Sequence, residues 1–576
     1  MRYFALATDY DGTIAHDGGV DDKTLDALKR LRESGRKLIL VTGRELDELL
    51  GTFPQIDLFD RVVAENGAVI YEPATKEIRL LGKAPSEEFV AELKRCKVYP
   101  VAVGRVIVAS WEPHQDQMLE AIRSLGLDLQ LIFNKGAVMV LPTGINKATG
   151  LKEALTEMGL SLHNVVGIGD AENDHAFLRA CRCGVAVSNA LDSLKDRVDF
   201  VTKGARGEGV TQVIDQIIAD DLKEIDERLQ RHRILVGKNE KGDEVFFDPH
   251  RQASMICGTS GSGKSTLTTG LLERLVAEGH QFVILDPEGD YTALEFAVTL
   301  GSPQRAPLIE EVLDLLKEPS RNAVVNMLGI AVEHRPEFFT SIFPRLQELR
   351  SRTGRPHFMV VDEAHHMIPS ESELATSILT NELAGLLFIT VHPGSISPTA
   401  LKTVNTVMIV GQDPAQTMKE FCEAAKESIP SLDTKEPLPT GDVLLWSRGE
   451  KRAELVHSEP PKSERKRHSR KYAEGNLGAD RSFYFRGKKQ KLNLKAQNLI
   501  MFLQMADGVD DETWNFHLKE GDYSKWLNDS VKDNDLAEEV AVIEKKKIKP
   551  EASRAEIRQA IEARYTLPAD QASGKI

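Results

Sequence analysis

Residues 3–13 read YFALATDYDGT. An apolar run ends at Asp9, Asp11 follows two positions on, and Gly12 and Thr13 close the stretch. A buried strand that ends in two carboxylates and a glycine turn can present an aspartate to a phosphoryl group as a nucleophile. The second carboxylate can protonate the leaving oxygen and later activate water. Gly12 lets the backbone come close to a ligand. A second phosphate motif lies further on, GTSGSGKS at Gly258–Ser265. The reading of the chain turns on what each of the two does.

Working outward, β-α-β alternation surrounds the first stretch: the helical pattern TLDALKRLRESG carries Leu25, Leu28 and Leu31 on one face, and KLILVTGR follows it. That rhythm predicts a parallel sheet covered by helices over residues 1–225. Shorter strands such as GRVIVAS and GAVMVLP at about 80–145 predict an inserted α+β subdomain. A second α/β unit is expected over 231–455, beginning with a hairpin turned at Asn239–Gly242 and continuing through ASMIC, QFVILD, NAVVNML, HFMVVD, LLFITV and TVMIVG. Residues 456–479 hold two prolines and six Lys/Arg between Lys462 and Lys471, which predicts an exposed basic linker. Residues 480–576 are expected to be mainly helical. Leu492, Ala496, Leu499, Ile500 and Leu503 fall on one apolar face, and Ser553–Glu556 reads as a capping box.

Bulk properties agree with several globular units. The chain has 576 residues, 41% hydrophobic and 28% charged, and a prior of about 150 residues per domain suggests three or four. A net charge of −15 argues against a surface that coats nucleic acid throughout, although a local basic groove remains compatible. The five cysteines are scattered without a CxxC pair, so no zinc framework is written here. No leader and no apolar run of about 20 residues is visible, and a cytoplasmic protein without membrane spans is expected.

The first motif gains partners along the chain. Two carboxylates beside a phosphate dianion require a divalent cation and a fixed positive charge. Thr42 in LVTGR can bind a phosphate oxygen, and Lys147 in GINKATGL supplies the cation. Asp170, Asn173 and Asp174 in GDAENDHAF form a turn suited to Mg²⁺. The set DYDGT, VTGR, AENGA, NKATGL, GDAENDHAF and GVAVSNA resembles the haloacid dehalogenase superfamily, in its branch of capped sugar-phosphate phosphatases, over about residues 1–220. The resemblance implies a Rossmann-like domain with an inserted cap. It makes Asp9 the nucleophile and Asp11 the acid–base, with Thr42 and Lys147 holding the phosphate. It gives the metal to Asp9, Asp11 through its carbonyl, and Asp170, supported by Asp174. The expected substrate is a phosphomonoester.

Gly258–Ser265 matches the phosphate-loop pattern, with a strand before it and a helical run after it. Gly258, Thr259, Ser260, Gly261, Ser262 and Gly263 would cradle ATP phosphates. Lys264 would reach the β/γ-phosphates, and Ser265, with Thr266 beside it, would face Mg²⁺. HFMVVDEAHH supplies Asp362 for the metal and Glu363 to polarise water. VILDPEGDY, GRPHFMVVDEAHH and the entry stretch LVGKNEKGDEVFFDPHRQASMICGTSGSGKST look like the HerA/FtsK superfamily, nearest the HerA branch, over 231–455. That resemblance implies a RecA-like ATPase, a homo-oligomeric and typically hexameric ring, and duplex DNA as partner. It puts Asp286 and Asp290 near the nucleotide and His392 at the sensor position. The family's arginine-bearing segment before the sensor strand is absent, leaving Arg345, Arg352, Arg355 and Arg448 as candidates for a neighbour's site.

The expectation is a HerA-like ring ATPase fused to a Mg²⁺-dependent phosphomonoesterase, with ATP and Mg²⁺ as cofactors, acting in DNA or nucleotide processing or in defence against foreign DNA. The alternative is a metabolic phosphatase whose ATPase half regulates or assembles it. Trp514, His517 and Trp526 are read as either an aromatic core or a binding face, with core favoured.

Overall fold

The computed structural model describes residues 1–248, 253–371, 385–434, 437–462, 482–488, 492–531, 533–546 and 548–565. It falls into two compact units, Met1–Glu459 and Pro460–Ile576. Most of the basic stretch from Lys462 to Lys471 lies outside the described residues. None of the described helices is long and apolar enough to cross a membrane.

The α/β class expected from the sequence is what the molecule shows. In the first 220 residues an eight-stranded sheet has six parallel strands in the order Phe200–Val201, Cys183–Ala186, Val165–Gly169, Ala5–Thr8, Lys37–Val41 and Arg61–Ala64. Two antiparallel strands, Val69–Glu72 and Glu77–Leu80, extend it. The central strand Ala5–Thr8 is buried along its whole length, because helices cover both faces of a parallel sheet. Helix Asp22–Glu33 packs Leu25, Leu28 and Leu31 into this core, and Asp21 caps its amide end through Thr24. The inserted cap is a four-stranded antiparallel sheet with helices Glu87–Arg95 and Gln115–Ser124. Phe89, Leu93, Met118 and Val140 give it a small core of its own.

The second sheet runs parallel through Val404–Val410, Ala253–Gly258, Leu386–Thr390, Phe358–Val361, Phe282–Asp286, Ala323–Asn326 and Val298–Leu300. Antiparallel strands Asp442–Ser447, Arg452–Ser458, Ile234–Asn239 and Glu244–Phe247 complete one edge. Side chains alternate along each strand: Met255 and Cys257 enter one core while Ile256 enters the other, on the opposite face.

These two α/β regions share a seam. Arg355, fully buried, donates from Nη2 to the Gly159 carbonyl at 2.6 Å, and from Nη1 to Gln281 Oε1 at 2.9 Å and the Leu316 carbonyl at 3.0 Å. Its role is structural, and it is no longer a candidate for a neighbour's ATP site. Around it the imidazoles of His163 and His280 stack at 3.7 Å, with His357 edge-on to both and His232 edge-on to His163. Gly354, at φ +70, lies so near Asn164 that a Cβ there would meet its side chain at 2.4 Å.

The C-terminal unit departs from expectation at two points. Ala496 belongs to strand Leu494–Ala496, paired with Phe483–Phe485, and the helix begins only at Leu499. Asn498 caps that helix by accepting the Met501 amide, which fixes its start. Ser553 lies inside helix Pro550–Arg564 instead of starting it, because Pro550 is favoured at a first helical position. Ser553 accepts the Trp514 indole N–H at 2.9 Å. Trp514, His517 and Trp526 are buried among Phe483, Phe502 and Tyr523, so the aromatics form a core.

Candidate functional site

Sheet register assembles the first centre. Thr8 pairs with Ile168 on one side and Leu40 on the other. Asp9 therefore leaves the sheet level with Gly169 and Val41, one residue short of both Asp170 and Thr42. Its amide is held by the Ile168 carbonyl at 2.9 Å. Lys147 opens helix Lys147–Glu157 behind the cap of Asn146 and reaches between two carboxylates, 2.6 Å from Asp9 Oδ1 and 2.6 Å from Asp174 Oδ1. The other oxygen of Asp174 accepts the amides of Asp170 and Ala171 at 2.8 and 2.9 Å. Thr42 is buried and accepts the Arg44 amide at 3.1 Å.

Burial raises the Asp9 carboxyl, Asp174 and Asp170 raise it further, and Lys147 opposes them. Burial likewise raises Asp170 against the pull of Lys135. Lys147 is held charged, its burial outweighed by Asp174 and Asp9. Three carboxylates facing a single buried lysine leave an excess of negative charge that favours a divalent cation. The donor set fits magnesium, since Asp9, Asp170 and Asp174 each offer an oxygen within 4.8 Å of the others. Gly12 keeps the approach clear, for a Cβ there would strike Asp170 Oδ2 at 2.3 Å.

Asp11 does not join that triad through its side chain. Arg44 grips it in a bidentate pair, Nε to Oδ2 and Nη2 to Oδ1, both at 2.7 Å. This turns Asp11 into a cavity of about 400 Å³ between core and cap, walled also by Asp9, Ile107, Trp111 and Lys135. Arg44, Lys135 and Glu65 join this centre without having been expected from the sequence. Glu65, at φ +51, accepts the amides of Arg105, Val106 and Ile107 at 2.9, 2.8 and 3.0 Å and so anchors the cap to the core. The available signal was an acidic residue set between an apolar strand and Asn66–Gly67. Asn173 donates to Asn66 Oδ1 at 2.8 Å, bracing the same turn.

At the second centre, strand Ala253–Gly258 runs into a loop of Thr259, Ser260, Gly261, Ser262 and Gly263, and Lys264, Ser265 and Thr266 open helix Lys264–Ala277. Gly258 is required by a close approach: a Cβ there would meet the Val410 carbonyl at 2.0 Å. Lys264 Nζ donates to the carbonyls of Gly258 and Thr259 at 3.1 and 3.0 Å. Burial lowers its pKa while Glu363 and Asp362 oppose the shift. Ser265 donates to Asp290 at 3.0 Å, and Asp286 accepts the Asp290 and Tyr291 amides. Asp362, at the end of Phe358–Val361, has its carboxyl pushed well up by burial and then by Asp286.

Glu363 sits at φ +43, with burial and Glu288 raising its carboxyl. His365 Nδ1 lies 3.3 Å from Glu363 Oε2 and 3.1 Å from Thr390 Oγ1, and that hydroxyl accepts the His392 amide at 3.0 Å. The adjacent strand ends thus connect Glu363 to His392 through His365 and Thr390.

The first region matches the model of the haloacid dehalogenase-like hydrolases over residues 6–99 and 97–214. A phosphoglycolate phosphatase of Methanothermobacter thermautotrophicus is 34% identical over 226 residues, 36% of this chain and 96% of that protein. The chain belongs to the haloacid dehalogenase-like hydrolases. A second phosphoglycolate phosphatase, from Methanosarcina acetivorans, is 28% identical over 37% of this chain and 96% of its own length. The crystal structure of a haloacid dehalogenase-like hydrolase from Bacteroides thetaiotaomicron aligns at a TM-score of 0.33 and 20% identity, over 37% of this chain and 99% of its own. Residues 252–505 match the central domain of the helicase HerA. This member of the family is therefore a fusion, a haloacid dehalogenase-type phosphatase followed by a HerA-type P-loop ATPase, and a hydrolase.

Proposed function

We propose that the chain hydrolyses a small phosphorylated acid at its first centre and ATP at its second. The observation that carries the first half is the capped cavity of about 400 Å³, which holds both Asp9 and Asp11 together with two cationic side chains, Arg44 and Lys135. That volume suits a compact phosphomonoester better than the end of a duplex. The relatives named phosphoglycolate phosphatase make phosphoglycolate the first substrate to try.

In this reading an Asp9 oxygen attacks phosphorus and the ester P–O bond breaks. Asp11 gives its proton to the leaving oxygen. Asp11 then takes a proton from water as that water attacks the aspartyl-phosphate, and inorganic phosphate leaves. Lys147 and Thr42 hold the phosphoryl oxygens, and Arg44 keeps Asp11 facing the cavity. Magnesium held by Asp9, Asp170 and the Asp11 carbonyl, with Asp174 behind them, would offset the charge between carboxylates and phosphate.

At the second centre Lys264 exchanges its loop carbonyls for the β/γ-phosphates and Glu363 orients water. Ser265 and Asp362 would hold the nucleotide's Mg²⁺, with His392 as sensor. The HerA match supports a homo-oligomeric ring, hexameric by resemblance, that acts on duplex DNA in nucleic-acid processing or defence. A second reading is favoured by the seam at Arg355: a metabolic phosphatase regulated or assembled by its ATPase half.

Steady-state ATP hydrolysis with and without linear duplex DNA, at two salt concentrations and with Lys264→Ala as blank, separates the two. Salt-sensitive stimulation supports the DNA motor, and a rate indifferent to DNA sinks it. Phosphoglycolate turnover lost in Asp9→Asn supports the first centre. Failure to turn over phosphoglycolate or any small phosphorylated acid defeats that half of the proposal.

A further inference from the structure

The cap delivers a cation to the metal-binding oxygens. Strands Leu129–Asn134 and Ala137–Pro142 pair up to Asn134 opposite Ala137, leaving a two-residue turn of Lys135 and Gly136. Both have positive φ, +48 and +84, as the commonest hairpin turn demands. Asparagine or glycine takes the first of these positions easily. Lysine there sits in the left-handed region, where its Cβ crowds the backbone.

The side chain crosses from the cap to the core. Lys135 Nζ stands 2.8 Å from Asp170 Oδ2 and 3.3 Å from the Asp11 carbonyl. The family resemblance assigns the Asp170 carboxylate and the Asp11 carbonyl to magnesium. A Cβ built on Gly12 would lie 2.3 Å from Asp170 Oδ2 and 3.0 Å from Lys135 Nζ, so ammonium and carboxylate meet directly over the glycine. Asp170 is almost fully buried, whereas the Lys135 side chain is 44% exposed and has room to withdraw.

We propose that Lys135 is a tethered competitor of the divalent cation, so that loading of the metal and release of the cap hairpin are one event. The inference rests on the phosphatase reading of the first centre. An ammonium and a divalent cation on the same Asp170 carboxylate repel each other, and each weakens the other's hold there. Metal binding moves the ammonium off the core and into the cavity, where the second anionic group of a phosphorylated acid would meet it. Substrate and metal then favour each other, because each takes one of the partners that hold the cap shut.

The test is a calorimetric titration of Mg²⁺ into the full chain without nucleotide, with Asp170→Asn as blank for this centre. If Lys135 fills the position nine-tenths of the time, removing it raises apparent affinity about tenfold. Lys135→Ala should therefore bind Mg²⁺ more tightly than wild type, and Lys135→Arg, which keeps a cation on the turn, should stay near wild type. Unchanged or weaker binding in Lys135→Ala overturns the proposal, since a merely structural lysine gives no gain on removal. The titration needs no turnover. An error about the substrate therefore shows as missing phosphoglycolate activity with the Lys135→Ala gain still present.

Discussion

The two phosphate centres present their lysines in opposite ways. Lys147 is locked between Asp9 and Asp174, both at 2.6 Å, whereas Lys264 is folded back on the carbonyls of its own loop. The difference follows from the chemistry. A covalent aspartyl-phosphate needs nucleophile, cation and metal ligands fixed relative to one another, and one chain with one sheet can fix them. A phosphate loop makes its contacts largely from backbone amides, so its lysine can rest on the carbonyls of its own loop and exchange them for phosphates.

The strongest way to break this comparison is to remove one nucleophile and measure both activities. Asp9→Asn should lower phosphomonoester turnover by on the order of 10⁴-fold or more while leaving the ATPase rate within twofold or so of wild type. Glu363→Gln should cut ATP turnover by about 10²–10⁴-fold and preserve nucleotide binding and phosphatase activity. A tenfold loss at the intact centre in either variant would mean that the centres do not act separately.

Arg355→Ala leaves the carbonyls of Gly159, Leu316 and Lys317 without a donor they now have. It should cost about 3 kcal/mol in urea unfolding. If the phosphatase and ATPase halves are joined only through the chain, the two unfolding transitions of this variant will match those of wild type.

The smallest effect is a pH dependence. Burial, reinforced by His232, lowers His163 from its ordinary 6.5 to about 3, so the folded protein keeps it neutral. The unfolded chain binds a proton there below about 6.5 and the folded one does not, so stability falls as pH drops through that window towards 3. His163 alone should cost about 2 kcal/mol at pH 5 relative to pH 8. Melting temperatures of wild type and His163→Phe should converge as the pH falls. Parallel curves would place the acid sensitivity elsewhere.

Strands and their terminal carboxylates were legible in the sequence because parallel strands are apolar throughout and end in polar turns. Asp9, Asp170, Asp362 and the loop at Gly258 follow that rule. Arg44, Glu65 and Lys135 did not, for their partners lie far along the chain and only the fold brings them together. Lys135 had one local sign, a lysine–glycine pair between two apolar runs, where the period-two pattern marks a hairpin without saying where its tip points. The helix start at Leu499 was misplaced because Leu492 and Ala496 continue the period of its apolar face, although Ala496 belongs to a strand. Ser553 was misread because a proline three residues earlier opened the helix first.

The seam also bears on how this molecule can be divided. Gly159, His163 and Asn164 on one side, and His280, Gly354, Arg355 and His357 on the other, interlock as a single wall. A fragment cut between residues 225 and 231 would bare imidazoles and a guanidinium that are now buried. Gene fission at that boundary would therefore demand simultaneous change on both faces. The join, once made, behaves as a ratchet that holds the two hydrolases in one gene.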